Sequence, residues 1–247
     1  REYIAAMKAV DPEIKVIVAG VDPWYTHYSA AGRGTLPTWN ETVFRIAGDV
    51  IDGIDIHRYT IWIQGAGAQV EQAHYDWLAA HGAEPIDFVQ AMVAFPTAYE
   101  VLLAEFTGSA KRHGLHDLLI AVGEWTLHPM ELRGWPRTTS LTTSHAAYVA
   151  GMLNAFIRQG ELVRLAHHTD FGLWSDARPA GLVALQPGNY VFQMYAEPFA
   201  ASDEAWHFLP VTMAGPVMTI PETGMSIPRT ERVPLVDAVA ILSESGE

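Results

Sequence analysis

Leu118-Leu-Ile-Ala-Val-Gly-Glu-Trp125 is the stretch from which the architecture of this chain can be inferred. Its first five residues are apolar, and Gly123, Glu124 and Trp125 follow them directly. A short apolar run of this kind is typical of a strand buried on both faces, as strands of parallel sheets are. Glu124 is the first charge, and it comes at the C-terminal end, where parallel α/β proteins carry their chemistry. We therefore predict a functional carboxylate at Glu124; the alternative is a strand-end glutamate that forms a salt bridge or caps a helix.

Strands and helices alternate along most of the chain. Besides the run 118–124, strands are predicted at 14–19, 53–58 and 162–168, and helices at 1–10, 41–49, 86–113, 146–159 and 188–198. Pro96 is expected to break the longest of these helices or to begin a new one. Such alternation indicates an α/β fold with a parallel sheet, and four strands are half of an eight-stranded (β/α)8 TIM barrel. We assign residues 1–200 to a partial barrel whose strands are parallel neighbours in sequence order, with the helices outside.

The sequence pattern changes after residue 200. Apolar or alternating stretches occupy 205–220 and 233–243, and Val233–Leu242 is the clearest predicted strand. We assign residues 201–247 to a β segment that forms part of a C-terminal β-sandwich. Neither region contains enough strands to close its sheet, and bare sheet edges are unfavourable. We therefore expect the chain to be an interior piece of a longer protein and to be inactive when expressed alone.

Composition excludes several classes of function. The formal net charge of −13 disfavours nucleic acid as a partner, because binding a phosphate backbone requires clustered Lys and Arg. No apolar run reaches the roughly 18 residues of a membrane span, so no membrane association is predicted. The chain has no cysteine, which excludes disulfides and thiolate chemistry. A hydrophobic content of 49% is sufficient for a large core.

Three short motifs follow one another along the chain. Lys8–Gly20 runs from a helix into a strand, Asp52–Tyr59 ends in His-x-Tyr, and the third motif reads Gly123-Glu-Trp125. In order and spacing they resemble glycoside hydrolase family 51, the α-L-arabinofuranosidases of the clan A retaining glycosidases. The resemblance implies about strands five to eight of a (β/α)8 barrel, followed by the start of a β-sandwich.

The resemblance also implies a mechanism and a set of site residues. Retaining glycosidases act by double displacement, with two carboxyl groups roughly 5 Å apart. By the motif match, Glu124 would be the nucleophile, and His57 and Tyr59 would line the sugar subsite. Three further substrate-binding residues are predicted by position: Trp125 beside the nucleophile, with core packing as the alternative, His128 in the loop that follows, and Asp170 near the position of a family Gln. The implied substrate is a carbohydrate, such as the arabinose-containing polysaccharides arabinan and hemicellulose or their oligosaccharides. No cofactor and no metal are expected. The family often forms homo-oligomers, and the sequence leaves the oligomeric state of the full-length protein open.

The chain departs from the family pattern at three places. The family's acid/base glutamate lies in an Asn-Glu motif at a strand end, and the expected place for it is upstream of Arg1. Gly123 stands where the family usually has Asp. The last predicted strand ends in His167-His-Thr-Asp170, where the family carries a Gln close to the sugar. These departures bear on the identity of the sugar more than on the type of reaction.

Two other classes of function remain open from the sequence. Metal-dependent barrel hydrolases also place His and Asp at strand ends, and His57, His167, His168 and Asp170 could form part of such a site. In that scheme, however, the Glu-Trp strand end has no role. The third class is a non-catalytic carbohydrate-binding barrel.

Overall fold

The computed structural model describes residues 1–24, 38–60, 76, 79–80, 85–127, 142–169, 187–200, 204–220 and 229–246. The helices whose bounds are described are α1 Glu2–Val10, α2 Trp39–Ala47, α3 Pro85–Arg112, α4 Thr143–Arg158 and α5 Pro187–Ala200. The first four strands are β1 Ile17–Ala19, β2 Gly53–Thr60, β3 Leu119–Leu127 and β4 Val163–His168. Four short strands follow: β5 Trp206–Leu209, β6 Val217–Ile220, β7 Thr230–Pro234 and β8 Ala240–Ser243.

The first four strands form one sheet in the order β1-β2-β3-β4. β1 pairs in parallel with β2, and β3 pairs in parallel with β4. Neighbours that follow sequence order, each separated by a helix, are what the alternating pattern predicted. The parallel four-stranded α/β sheet is therefore confirmed, and it fits part of a TIM barrel.

The chain divides into two compact units. The first comprises Arg1–Tyr59, Tyr99–Trp125 and Gln159–Thr169, and the second comprises Thr60–Ala98, Thr126–Arg158 and Asp170–Glu247. Nearly all of the parallel sheet lies in the first unit. The domain boundary that the sequence places at residue 200 stays a prediction.

Helices α2 and α3 pack together through both rings and polar groups in the first unit. The ring of Phe44 stacks on that of Phe106, with 5.8 Å between centroids. Beside them, the carboxylate of Glu41 accepts hydrogen bonds from Ser109 and from His113. These hydrogen bonds lower the pKa of Glu41, because both favour its ionised form.

In the second unit, α3 continues through Pro96, so the predicted helix break is wrong. A Cβ at Gly151 of α4 would lie 2.9 Å from Cγ of the Pro96 ring, so the two helices approach closely there. The glycine makes room for the ring. α3 runs as one helix from Pro85 to Arg112, although the proline removes one backbone hydrogen bond from it.

The single strand predicted over Val233–Leu242 is also wrong. β7 ends at Pro234, and β8 begins only at Ala240. Proline cannot donate to a sheet ladder, which favours an end there. Between the strands, the carboxylate of Asp237 accepts hydrogen bonds from Asn154 at 2.9 Å and from Arg158 at 2.8 Å. These bonds hold the connecting segment against α4 and out of a ladder.

Beyond residue 204, the described strands pair in two small antiparallel sheets. β5 pairs with β8, and β6 pairs with β7. A complete β-sandwich for this region stays a prediction. In the described parts of the chain, no helix has the length and apolar character needed to cross a membrane.

His145 is expected to make the protein less stable as the pH falls from about 6.5 toward 4. Its side chain is buried, and burial lowers its pKa from 6.5 to about 4. Between these two values the unfolded state binds more protons at His145 than the folded state does. The contribution of the neutral His145 to stability is therefore fully present above about pH 6.5 and is lost as the pH falls toward 4. The loss attributable to His145 at pH 4.5 is about 2–3 kcal/mol.

Urea unfolding of the wild type and of His145→Phe, from pH 7.5 to 4.5, measures this loss. The variant is expected to show a shallower dependence on pH, whatever its stability at pH 7.5. Exchange of the exposed His116 for Phe is the matched control and should follow the wild-type curve. Equal slopes for wild type and His145→Phe would contradict the assignment.

Candidate active site

The candidate site lies on one face of β2. Side chains alternate between the faces of a strand, so Asp55, His57 and Tyr59 share one face. Ile54 and Ile56 point the other way and are fully buried. The sequence Ile-Asp-Ile-His-Arg-Tyr therefore separates a core face from a polar face within one strand.

Glu124 of the neighbouring β3 meets this polar face. Its Oε2 accepts a hydrogen bond from the hydroxyl of Tyr59 and lies 3.5 Å from Nδ1 of His57. The side chain of Glu124 is 41% exposed. The carboxylate is therefore held in place by Tyr59 while remaining accessible to a ligand. The structure brings together three of the predicted site residues.

Asp55 is a fourth polar group of the site, which the motifs did not identify. Its Oδ1 accepts a hydrogen bond from the backbone N–H of Gly123 at 2.8 Å. Its Oδ2 lies 3.1 Å from Nε2 of His57. Strand alternation was the available signal, because Asp55 is two residues from His57 and must share its face.

A cavity of about 400 Å³ opens on the same face of the first unit. Its lining includes polar groups from Asp55 and His167 and apolar groups from Ile17, Ala19 and Ala121, with Gly123 between them. The cavity and the candidate site share Asp55 and Gly123.

Trp125 does not lie on the open surface. Its side chain is fully buried, and its ring meets that of His168 edge to face, with 4.7 Å between centroids. The backbone carbonyl of Trp125 also accepts hydrogen bonds from the N–H and the hydroxyl of Thr169, at 3.1 and 3.0 Å. The Trp125 ring packs β3 against β4. Because the side chain is fully buried, it has no exposed surface for the substrate contact that is predicted from the sequence.

The other predicted residues have different positions. His128 and Asp170 lie outside the described residues, so their substrate contacts stay predictions. His167 lines the cavity, whereas His168 is buried against Trp125, so the two adjacent histidines occupy opposite faces of β4. Among the side chains that the structure describes, no group of three or more His, Asp or Glu is arranged to hold a metal ion.

Behind the site, a buried ion pair anchors β2. Arg58, between His57 and Tyr59, donates to Oδ1 of Asp22 at 3.2 Å, and both side chains are almost completely buried. The hydroxyl of Tyr99 donates to the other oxygen at 2.5 Å, and the Arg58 guanidinium lies 5.2 Å from the ring centre of Trp24. Burial raises the pKa of Asp22, while Arg58 and Tyr99 act in the opposite direction.

Comparison with known proteins gives matches among solved structures alone. No protein-family model matches the chain, and no curated protein matches its sequence. The structure is similar to α-L-arabinofuranosidase from Thermotoga maritima in its arabinose complex, with 21% identity, a TM-score of 0.51 and 99% of this chain covered. The GH51 arabinofuranosidase from Xanthomonas axonopodis pv. citri matches at 16% identity with a TM-score of 0.52, over 99% of this chain. A further arabinofuranosidase structure matches at 20% identity and 0.52, over the whole chain.

These likenesses concern the fold. The chain spans 44% of the T. maritima protein and 46% of the X. axonopodis protein, so it corresponds to less than half of each. Its structural neighbours are glycoside hydrolases of GH51, and the parallel sheet with its helices is common to them and to this chain.

Proposed function

We propose that the full-length protein containing this chain is a retaining glycoside hydrolase, an α-L-arabinofuranosidase, in which Glu124 is the nucleophile. The observation that carries this proposal is the contact of Glu124 with Tyr59 and His57 on adjacent parallel strands. The fold likeness to arabinofuranosidases supports it. In this proposal, the sheet β1–β4 is the second half of a (β/α)8 barrel, and residues 201–247 belong to a β-sandwich.

The proposed reaction has two displacements. In the first, an oxygen of the Glu124 carboxylate bonds to the anomeric carbon, and the glycosidic bond breaks. The leaving oxygen takes a proton from a second carboxyl group. In the proposal, that group belongs to the part of the full-length protein upstream of Arg1. In the second, that group removes a proton from water, the water oxygen attacks the anomeric carbon, and the ester to Glu124 breaks.

The neighbours of Glu124 have roles that follow from their contacts. The Tyr59 hydroxyl fixes the rotation of the Glu124 carboxylate, which keeps one oxygen aligned for attack. The exposed side of His57 and the Tyr59 ring would contact the sugar. The glycone is proposed to be arabinofuranose, because the similar structures are arabinofuranosidases and one of them holds arabinose. Arabinan and arabinose-substituted hemicellulose or their oligosaccharides are then the natural substrates.

The stereochemistry of the first product tests the proposed reaction. Proton NMR of early hydrolysis of 4-nitrophenyl α-L-arabinofuranoside by the full-length protein should show the α-anomer first, because two inversions give retention. Initial formation of the β-anomer would contradict a covalent role for Glu124. Activity that is abolished by a chelator and restored by a divalent metal would favour the metal-dependent alternative instead. No hydrolysis of any aryl glycoside would favour a carbohydrate-binding barrel.

A further inference from the structure

Gly123 and Asp55 occupy one space between two strands. A Cβ built on Gly123 would lie 2.3 Å from Oδ1 of Asp55 and 2.7 Å from Oδ2. Real Cβ atoms do not approach other atoms so closely, so no side chain fits at residue 123 while the Asp55 carboxylate is in place. The glycine in front of Glu124 is therefore matched to the aspartate on the neighbouring strand.

Both oxygens of Asp55 lie within hydrogen-bonding distance of a site residue, and each contact serves a different part of the site. Oδ1 accepts from the N–H of Gly123, the residue directly before Glu124. Oδ2 faces Nε2 of His57, whose other ring nitrogen faces Glu124. An ionised carboxylate accepts at both oxygens, whereas an amide accepts at one and donates at the other.

We propose that Asp55 is a positioning residue of the active site, which orients the His57 ring and the backbone next to Glu124. Its carboxylate occupies the space that a side chain at residue 123 would otherwise fill. The inference rests on the proposed role of Glu124 as nucleophile. By accepting a hydrogen bond from Nε2–H, Asp55 fixes which nitrogen of the neutral His57 ring carries the proton and leaves Nδ1, beside Glu124, without one. The bond to Gly123 fixes β3 at the irregularity in β3–β4 pairing between Val122 and Trp125.

Asp55→Asn tests the orientation of His57. The Gly123 N–H can only donate, so the Asn oxygen turns to it and the Asn amino group faces His57 Nε2. That nitrogen must then accept, and the proton moves to Nδ1, beside Glu124. The wrong tautomer has a large effect where a histidine takes part in the chemistry itself. Here His57 only neighbours the nucleophile, so a smaller effect is expected. We expect kcat/KM to fall by about 10- to 100-fold, the typical loss when a residue that hydrogen-bonds a site residue from behind is replaced.

Asp52→Asn is the matched control. Asp52 lies at the other end of β2 and also accepts a backbone hydrogen bond, from the N–H of Val16 at 2.9 Å, together with a salt bridge to Lys8. Its exchange should lower the melting temperature and leave kcat/KM unchanged. Asp55→Asn should show the reverse, with a melting temperature within about 2 °C of wild type. If both variants lose activity only in proportion to stability, Asp55 has a structural role and the proposal fails.

A carboxylate swap tests the shared space between β2 and β3. Gly123→Asp alone forces two carboxylates into one place and should lower the melting temperature by about 5 °C or more and abolish most activity. Asp55→Ala alone should lower kcat/KM by about 10- to 100-fold. In Asp55→Ala/Gly123→Asp, the space is vacated on β2 and refilled from β3, within reach of His57. The double variant should therefore be more stable and more active than Gly123→Asp. Asp55→Ala thus improves the Gly123→Asp protein, although it lowers the kcat/KM of the wild type.

The swap separates failure of this inference from failure of the proposed function. Additive effects in the double variant would overturn the inference, even in an active arabinofuranosidase. Should the wild type have no glycosidase activity, the proposed function fails together with the catalytic part of the inference. The melting temperatures then still decide whether residues 55 and 123 share one space, because that measurement does not depend on turnover.

Discussion

Glu124→Ala in the full-length protein is expected to abolish hydrolysis of activated and natural arabinofuranosides alike. Both displacements pass through an ester to this carboxylate, so a better leaving group cannot substitute for it. The expected loss in kcat is about 10⁴-fold or more, the scale seen when a covalent nucleophile is removed from other hydrolases. Steady-state kinetics on 4-nitrophenyl α-L-arabinofuranoside and on an arabino-oligosaccharide measure it. Glu161→Ala, an exposed glutamate that pairs with Lys111, is the control and should keep wild-type rates.

Azide distinguishes the two carboxyl roles. In Glu124→Ala, azide can attack in place of the missing carboxylate and should restore turnover of the activated substrate. One displacement then replaces two, so the glycosyl azide should have inverted configuration. A variant of the acid/base residue would instead give a retained azide, because its nucleophile is intact. Near-normal activity of Glu124→Ala, or a retained azide from it, would show that Glu124 is not the nucleophile.

Asp22→Ala is expected to have the largest effect on stability, a loss of about 3–5 kcal/mol in the free energy of unfolding. The Asp22 and Arg58 side chains are 0% and 3% exposed, so the exchange removes a counter-charge from a buried guanidinium. It also removes the acceptor of the Tyr99 hydroxyl. Urea unfolding at pH 7 measures the loss. Asp49→Ala, which breaks the exposed pair with Arg1, is the matched control and should leave the midpoint unchanged.

The same exchange should also reduce activity at permissive temperature, because Arg58 anchors the strand that carries His57 and Tyr59. A loss of stability below about 1 kcal/mol would mean that the buried pair contributes little beyond its desolvation cost. In that case, the anchoring of β2 would have to come from the core side chains Ile54 and Ile56.

Local patterns in the sequence were sufficient for the sheet. β1 and β3 contain apolar runs, whereas β2 and β4 mix apolar and polar residues. Parallel neighbours in sequence order follow from the alternation of these strands with helices. Glu124 could be selected because it is the first charge after such a run. In the structure its carboxylate contacts Tyr59 and His57, and the functional role of these residues stays a prediction.

Features that depend on register and distant partners could not be inferred in this way. The match between Asp55 and Gly123 depends on how β2 and β3 are aligned, which no local pattern encodes. Trp125 follows an irregularity in the β3–β4 pairing and is directed into the core. Asp237 interrupts the strand predicted at Val233–Leu242 through partners 79 and 83 residues away in the sequence.

Covalent labelling tests the central claim most directly. In a 2-fluoro arabinofuranoside with a good leaving group, the fluorine slows both displacements, whereas the leaving group speeds up the first. The first displacement is then faster than the second, so the glycosyl-enzyme accumulates. The full-length protein, treated with this inhibitor and digested, should carry one fluorosugar on the peptide that contains Gly123-Glu-Trp125. Tandem mass spectrometry should place it on Glu124, and Glu124→Gln should remain unlabelled. Labelling of a different carboxylate, or inactivation without any covalent sugar, would contradict the assignment of Glu124 as the nucleophile.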